Sequence, residues 1–292
     1  MSADDDTGAR LFVGLQYLLP QHLLSAVVHW LARVQLSWVK NALIDNFVVN
    51  YGPDMAEAEE SDPRKYASFN AFFTRSLRPG ARTVDPSPTA LVSPVDGTVS
   101  QIGRTDGSSL LQAKGLTYTL ESLLDEAAPA WAPVFRGGAF ATLYLAPHNY
   151  HRIHMPLAGT LQAAWYLPGQ LFSVNATTAA QVPGLFARNE RVVCVFADGT
   201  LSFALVLVGA LFVGSMSTVW HGDVTPRSPR VRASLAIDFV RTELQLEKGA
   251  EMGRFNMGST VILLLPPGRA EWRSDLAAGS VIRMGQALAQ LT

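Results

Sequence analysis

The sequence predicts an α+β protein in which amphipathic N-terminal helices precede a β-rich body. Three observations carry that prediction. Residues 11–32 form a run without a formal charge, and its polar members recur at helical spacing. From about residue 90 the texture changes to short apolar runs broken by Gly, Pro and Asp, the pattern of strands joined by tight turns. Hydrophobic residues make up 48% of the chain and charged residues 16%, whereas about 25% charged is ordinary for a soluble domain. With a mean hydropathy of +0.16, this balance predicts apolar surface beyond what a core absorbs, as in a protein that touches a membrane.

The chain opens with "MSADDDTGAR", which is acidic where a secretory signal is basic. Cleaved export is therefore not expected. A net charge of −1 and a pI near 6.6 lack the basic footprint that nucleic acid demands. The single Cys194 excludes an internal disulfide framework and any multi-cysteine metal site, and fits a reducing compartment.

Pro20, Gln21 and His22 interrupt the uncharged run at its middle, where a membrane-spanning helix tolerates polar groups least. Beyond them His22, Ser25, His29, Arg33, Ser37 and Lys40 trace one helical face, with Leu23, Leu24, Val27, Trp30, Leu31, Val34 and Trp38 opposite. This pattern predicts a helix lying in the membrane interface. Packing on the protein's own core and a true span are the alternatives.

The acidic, proline-bounded "GPDMAEAEESDP" (52–63) reads as a linker or exposed turn. It divides the chain into a helical, membrane-associating region (1–65) and a β-rich catalytic body (66–292). In "YASFNAFFTRSLRPGAR", Tyr66, Phe69, Phe73 and Leu77 lie at helical spacing until Pro79-Gly80 stops them. Strand-like runs follow in "LVSPVDGTVSQIG", "GGAFATLYLAP", "RVVCVFADGTLSFALVLVGALFVGSM", "ASLAIDFV", "STVILLLPP" and "GSVIRMGQALAQL". Helical patterning returns only in "TLESLLDEA".

Three places in this body could carry chemistry. Asp96-Gly97 sits between strand-like runs, but so do Asp106-Gly107 and Asp198-Gly199, and Asp-Gly is the ordinary hairpin turn. "PHNYHRIHMP" gathers His148, His151 and His154, half of the six histidines, within ten residues. Its flanking prolines deny it a helix, so a shared metal is disfavoured, and a catalytic base or a structural role remains. Gly258-Ser259 places small residues where a buried strand would carry bulk, which marks a bulge or a close backbone approach. Gly214-Ser215 has the same two letters.

Taken together, "FNAFFTRSLRPGAR", "SPVDGTVSQIG", "KGLTYTLESLL", "YHRIHMP" and "KGAEMGRFNMGST" resemble, in order and spacing, the bacterial phosphatidylserine decarboxylases. The resemblance runs from about residue 66 to 262. Members of that family cut themselves at the Gly-Ser bond of Leu-Gly-Ser-Thr, which here reads Met257-Gly258-Ser259-Thr260. "YHRIHMP" is intact, whereas "PHN" departs from the family pattern and leaves His148 without a role.

The resemblance implies that Ser259 is the precursor of a covalent pyruvoyl cofactor. Its hydroxyl would attack the carbonyl carbon of Gly258, aided by His154 and Asp96 acting as an oriented base. Elimination and hydrolysis would leave a large chain (1–258) and a pyruvoyl-bearing small chain (259–292). The pyruvoyl would form a Schiff base with phosphatidylserine, release CO₂ and yield phosphatidylethanolamine, with His151 handling the later proton transfer. No metal is implied. The family also implies a body similar to the lipoyl- or biotin-carrier hammerhead (a barrel-sandwich hybrid), a homodimer, and a peripheral place on the cytoplasmic side of the cell membrane.

Two other readings compete. A serine hydrolase could use Asp96, His154 and Ser259 on external substrate, but the G-x-S-x-G elbow is missing around Ser259. A non-catalytic lipid-binding or carrier module is the other. "SPVDGTVSQIG" and "GSVIRMGQALAQL" look like hammerhead halves, yet neither holds the lysine that a carrier modifies.

Overall fold

The computed structural model describes residues 3–199, 201–211, 215–228, 230–235, 243–256 and 259–292. Gly258 and Met257 of the expected cleavage site, Gly214, and most of "ASLAIDFV" thus lie outside the described residues.

Three helices open the chain: α1 (Ala3–Leu18), α2 (Gln21–Ala32) and α3 (Ser37–Tyr51). Pro20 ends the first continuous turn, and α1 and α2 meet at 85°. No single helix among the described residues is long and apolar enough to cross a membrane, although the bent pair passes that test together. The corner is held by the polar residues that interrupt the apolar run. Gln16 Oε1 accepts from Ser173 N (2.8 Å), Gln21 Oε1 accepts from Leu171 N (2.7 Å), and His22 Nε2 meets Gly169 O (2.9 Å).

The polar line therefore turns inward. Ser25 and Lys40 are buried, Lys40 donates to Arg64 O (2.6 Å), and Arg33 pairs with Asp223 (3.3 Å). The opposite face is left outside, with Leu23 63%, Val27 51%, Trp30 68% and Trp38 76% exposed. Of the seventeen exposed large apolar residues among those described, eleven fall between Leu11 and Trp38. Packing on the protein's own core does not account for that face.

A short helix, α4 (Phe69–Phe73), is capped by Ser68 Oγ accepting from Ala71 N (3.2 Å). It stops before Leu77, which instead bridges to Ala58, so the aromatic stripe is helical for five residues only. Phe69, Phe72 and Phe73 pack with Ala32, Ile44 and Phe47 in one apolar cluster that straddles residue 65. The acidic 52–63 stretch is also no free linker. Glu57 is bound by both Arg82 (2.7 Å) and Arg283 (3.0 Å).

The body is built on a nine-stranded sheet, and every strand pair among the described residues is antiparallel. At its centre Thr260–Leu265 lies between Leu201–Val208 and Ala139–Tyr144, with all six of its residues buried. A run buried on both faces needs no alternation, and "TVILLL" has none. A four-stranded sheet orders Gly222–Asp223, Met216–Thr218, Glu251–Phe255 and Arg152–His154. One apolar core lies on the side of the large sheet that faces this smaller one. A second core, on the other side, includes Leu120, Leu123, Phe135 and Phe186. The architecture is thus α+β, with helices set against open antiparallel sheets.

Candidate active site

The three Asp-Gly pairs separate cleanly. Gly107 and Gly199 take positive φ (56° and 55°) with open space around them, as hairpin turns require. Gly97 does not. A Cβ there would stand 2.3 Å from Tyr144 O, so glycine is needed for the strand Gly97–Arg104 to pass beside Ala139–Tyr144. Asp96 precedes that close approach and is buried. Its carboxylate accepts from Met284 N (2.8 Å) and from Arg82 Nε (2.9 Å), and Arg82 Nη2 bridges it to Glu57. Arg82, in the "RPGAR" stretch, is a site residue that sequence reasoning passed over.

The histidine segment is a turn followed by a strand, as its prolines predict. Ala146–Asn149 folds back on itself, with Asn149 N donating to Ala146 O (2.9 Å) and Ala146 N to Asn149 Oδ1 (2.8 Å). Two hydrogen bonds then tie this segment to both ends of the loop around Ser259. Leu145 N donates to Ser259 O (2.9 Å), and Phe255 N donates to His151 O (3.0 Å). The segments that carry His151 and Ser259 are thereby neighbours although far apart in sequence, but no hydrogen bond joins the two side chains.

Ser259 is fully buried, and its Oγ has no hydrogen-bond partner. His151 is also fully buried, stacked on Phe73 with ring centroids 4.1 Å apart. Its Nδ1 faces Asn149 O at 2.8 Å and so carries the proton, leaving Nε2 bare and unpartnered. Burial pushes the His151 pKa down to about 3, and Arg75 and His148 push the same way against the Asn149 bond. At neutral pH the ring is a neutral base. Buried polar atoms without partners are rare, and each costs free energy that the fold must offset. Ser259 Oγ and His151 Nε2 are two of the eleven such side-chain atoms among the described residues, and Thr260 Oγ1 next to Ser259 is a third.

His154 is bonded on both sides. Nδ1 meets Gly249 O (2.7 Å), and Nε2 meets the Tyr150 hydroxyl (2.9 Å). Burial raises the Tyr150 pKa, so the phenol stays protonated and donates to Nε2. Burial likewise lowers the His154 pKa. His154 N donates to Pro94 O (2.8 Å), which sets its strand beside the turn that carries Asp96. Asp96 and His154 are thus neighbours through the backbone, yet no hydrogen bond joins the Asp96 carboxylate to the His154 ring or that ring to Ser259. His148 lines a small cleft with Asp96, Arg82 and Tyr150, and its carbonyl accepts from the buried Arg75 (3.3 Å). Among the described residues no group of three His, Cys, Asp or Glu side chains could hold a metal ion.

A buried hydroxyl, with a neutral imidazole on a neighbouring segment, suits attack of Ser259 on its own backbone. Comparison with known proteins identifies the family. The family model for phosphatidylserine decarboxylase matches residues 69–290, and a second, described as PSD, matches residues 11–52. The phosphatidylserine decarboxylase proenzyme of Pseudomonas fluorescens (strain Pf-5) is 52% identical over 279 residues, 96% of each chain. That of Methylococcus capsulatus is 50% identical over 279 residues, again 96% of each. The Pseudomonas putida (strain F1) proenzyme is 50% identical over 281 residues, 96% of this chain and 98% of its own.

Proposed function

The chain belongs to the phosphatidylserine decarboxylase family, and from that premise we propose that it is a self-processing decarboxylase whose Ser259 becomes a pyruvoyl group. The observation that carries this reading is the Ser259 hydroxyl, fully buried and without a partner beside the His151 segment. In the uncut chain a hydroxyl sealed from solvent cannot meet an external substrate, whereas the adjacent peptide bond needs no access; the cut then frees the start of the small chain to meet the lipid.

The first step is attack of Ser259 Oγ on the carbonyl carbon of Gly258, which exchanges an amide for an ester. Elimination then frees the chain ending at Gly258, and hydrolysis releases ammonia and leaves the pyruvoyl on the 34-residue chain 259–292. A pyruvoyl replaces serine with little change in bulk, and the buried position of Ser259 suits it. When formed, its carbonyl supplies the electron sink for loss of CO₂ from phosphatidylserine.

The family resemblance assigns the base of the first step to His154, oriented by Asp96, and the later proton transfer to His151. In this role His154 Nε2 exchanges Tyr150 for the Ser259 hydroxyl. One observation favours the opposite assignment, because His151 already offers an unpartnered Nε2 and His154 does not. The two single variants separate these readings.

The exposed Leu23, Val27, Trp30 and Trp38 support a peripheral seat in the cytoplasmic membrane surface, with α2 lying along the interface. The likeness to a carrier hammerhead is supported by the pairing of its two expected halves, Thr98 with Val281 and Gly97 with Ile282. A homodimer remains part of the proposal by resemblance alone. The testing experiment is denaturing electrophoresis of the purified protein beside an assay for CO₂ release. A decarboxylase of this kind splits and releases CO₂, whereas a serine hydrolase stays one chain.

A further inference from the structure

We propose that the polar cleft between the end of α2 and the strand Glu251–Phe255 is the headgroup pocket for the lipid substrate, with Arg254 gripping its phosphodiester and Arg33 at the mouth. This inference rests on the decarboxylase reading above. The cleft encloses about 560 Å³ and is walled by Met216–Thr218, Gly222–Asp223 and Glu251–Phe255, with Arg33 and Asn70 closing the helical side.

Its two ends lie where a lipid needs them. At the inner end is Asn256, buried and fixed by Nδ2 donating to Ser215 Oγ (2.7 Å) and Ser217 Oγ (3.0 Å). Ser259 follows three residues later, so the chain itself keeps the reacting residue within about 10 Å of this wall. At the outer end Arg33 terminates α2, the helix that exposes Leu23, Val27 and Trp30. Acyl chains can stay on that apolar face while the headgroup enters the cleft. In an extended serine headgroup the phosphorus and the amine are four bonds apart, about 5 Å. The residues that hold the phosphate must therefore lie near the reacting centre.

Charge selects Arg254. Arg33 and Asp223 form a balanced pair at 3.3 Å. Glu251, by contrast, is shared, with Oε2 2.8 Å from Arg152 and Oε1 2.9 Å from Arg254. One carboxylate between two guanidinium groups leaves one positive charge in excess, and a phosphodiester carries one negative charge. Arg254 is the more exposed of the two, 37% against 20% for Arg152, and it lines the cleft. Its planar fork matches phosphate oxygens.

The phosphodiester is unchanged by loss of CO₂, so this contact binds ground state and transition state alike. It acts on KM and leaves kcat alone. The test uses the full chain and measures initial rates against the mole fraction of phosphatidylserine in mixed micelles. Arg254→Gln should raise KM about tenfold or more, with kcat and chain splitting unchanged, and Arg254→Lys should recover part of the loss. Arg33→Gln should raise KM less. Added salt should raise the KM of the native chain more steeply than that of Arg254→Gln. A native KM in Arg254→Gln would overturn the proposal, as would lost splitting or a lower kcat at native KM, because Arg254 would then be holding the strand. A native chain that neither splits nor releases CO₂ would instead overturn the decarboxylase reading.

Discussion

Around Ser259, polar atoms are buried without partners; along α2, large apolar side chains face outward while polar ones turn in. The two regions break the usual partition of polar and apolar groups in opposite directions, and each departure costs stability. The central strand follows the rule, with Val261–Leu265 sealed between two others. The difference teaches where function sits. The inward departure leaves a buried hydroxyl and a bare imidazole, which the proposed self-cleavage would use, and the outward one leaves an apolar face that the proposed seat on a membrane would cover.

The largest effect should come from the reactive hydroxyl. Ser259→Ala should abolish both chain splitting and CO₂ release, since nothing remains to attack Gly258. A fragment of about 34 residues from this variant would move the site elsewhere.

Next come the histidines. With His154 as the first base, His154→Ala should accumulate uncut chain, while His151→Ala should split but turn over about 10²–10⁴ more slowly. Uncut His151→Ala together with split His154→Ala would reverse the two roles, as the unpartnered Nε2 of His151 suggests. Normal splitting and turnover in both would reduce the cluster to a structural element. Asp96→Asn should also hinder splitting, but it leaves Arg82 with a weaker partner in a buried ion pair. Losing one member of such a pair costs about 3–5 kcal/mol. Thermal unfolding of the variant, measured beside Arg82→Gln, separates lost stability from lost orientation of His154.

The outward region should yield smaller steps. Burying a large apolar side chain contributes about 1.5–3 kcal/mol, so Trp30→Gln or Leu23→Gln should weaken vesicle flotation roughly tenfold or more while splitting proceeds. Flotation unchanged in the double variant would leave that face without a purpose. Alkaline extraction addresses the spanning alternative, since an interfacial helix washes off.

The last effect is read on stability alone, as a pH slope. The His151 pKa is lowered on folding from 6.5 to about 3, so between those values the unfolded chain binds a proton that the folded chain refuses. Stability is undiminished by this group above pH 6.5 and falls as pH drops, by up to about 1.4 kcal/mol per unit. Urea unfolding of Ser259→Ala with and without His151→Gln should show a flatter acid limb in the double variant. Parallel limbs would mean that His151 is not held neutral.

Much of this was legible in the sequence. Helical spacing marked the polar line from His22 to Lys40, and the prolines marked "PHNYHRIHMP" as turn and strand. Periodicity could not say which face of α2 meets the body; that depended on Gln16 and Gln21 finding Ser173 and Leu171, some 150 residues away. The nine-residue strand Gly159–Leu167 escaped notice because "GTLQAAWYL" has little β-branching and its register slips between Leu161 and Ala163. Arg82 and Tyr150 lay inside quoted motifs and Glu57 inside the acidic stretch, yet nothing local marked what any of them would bind. Each matters only through a partner that the fold delivers.

The central claim is that Ser259 is consumed to make a carbonyl, and intact mass of the purified native chain tests it most directly. The account predicts two species, residues 1–258 and a chain of residues 259–292 that is lighter by one ammonia than its serine-started sequence and resistant to N-terminal sequencing. A single uncut species in protein that releases CO₂ from phosphatidylserine, or a small chain beginning with free serine, would contradict it.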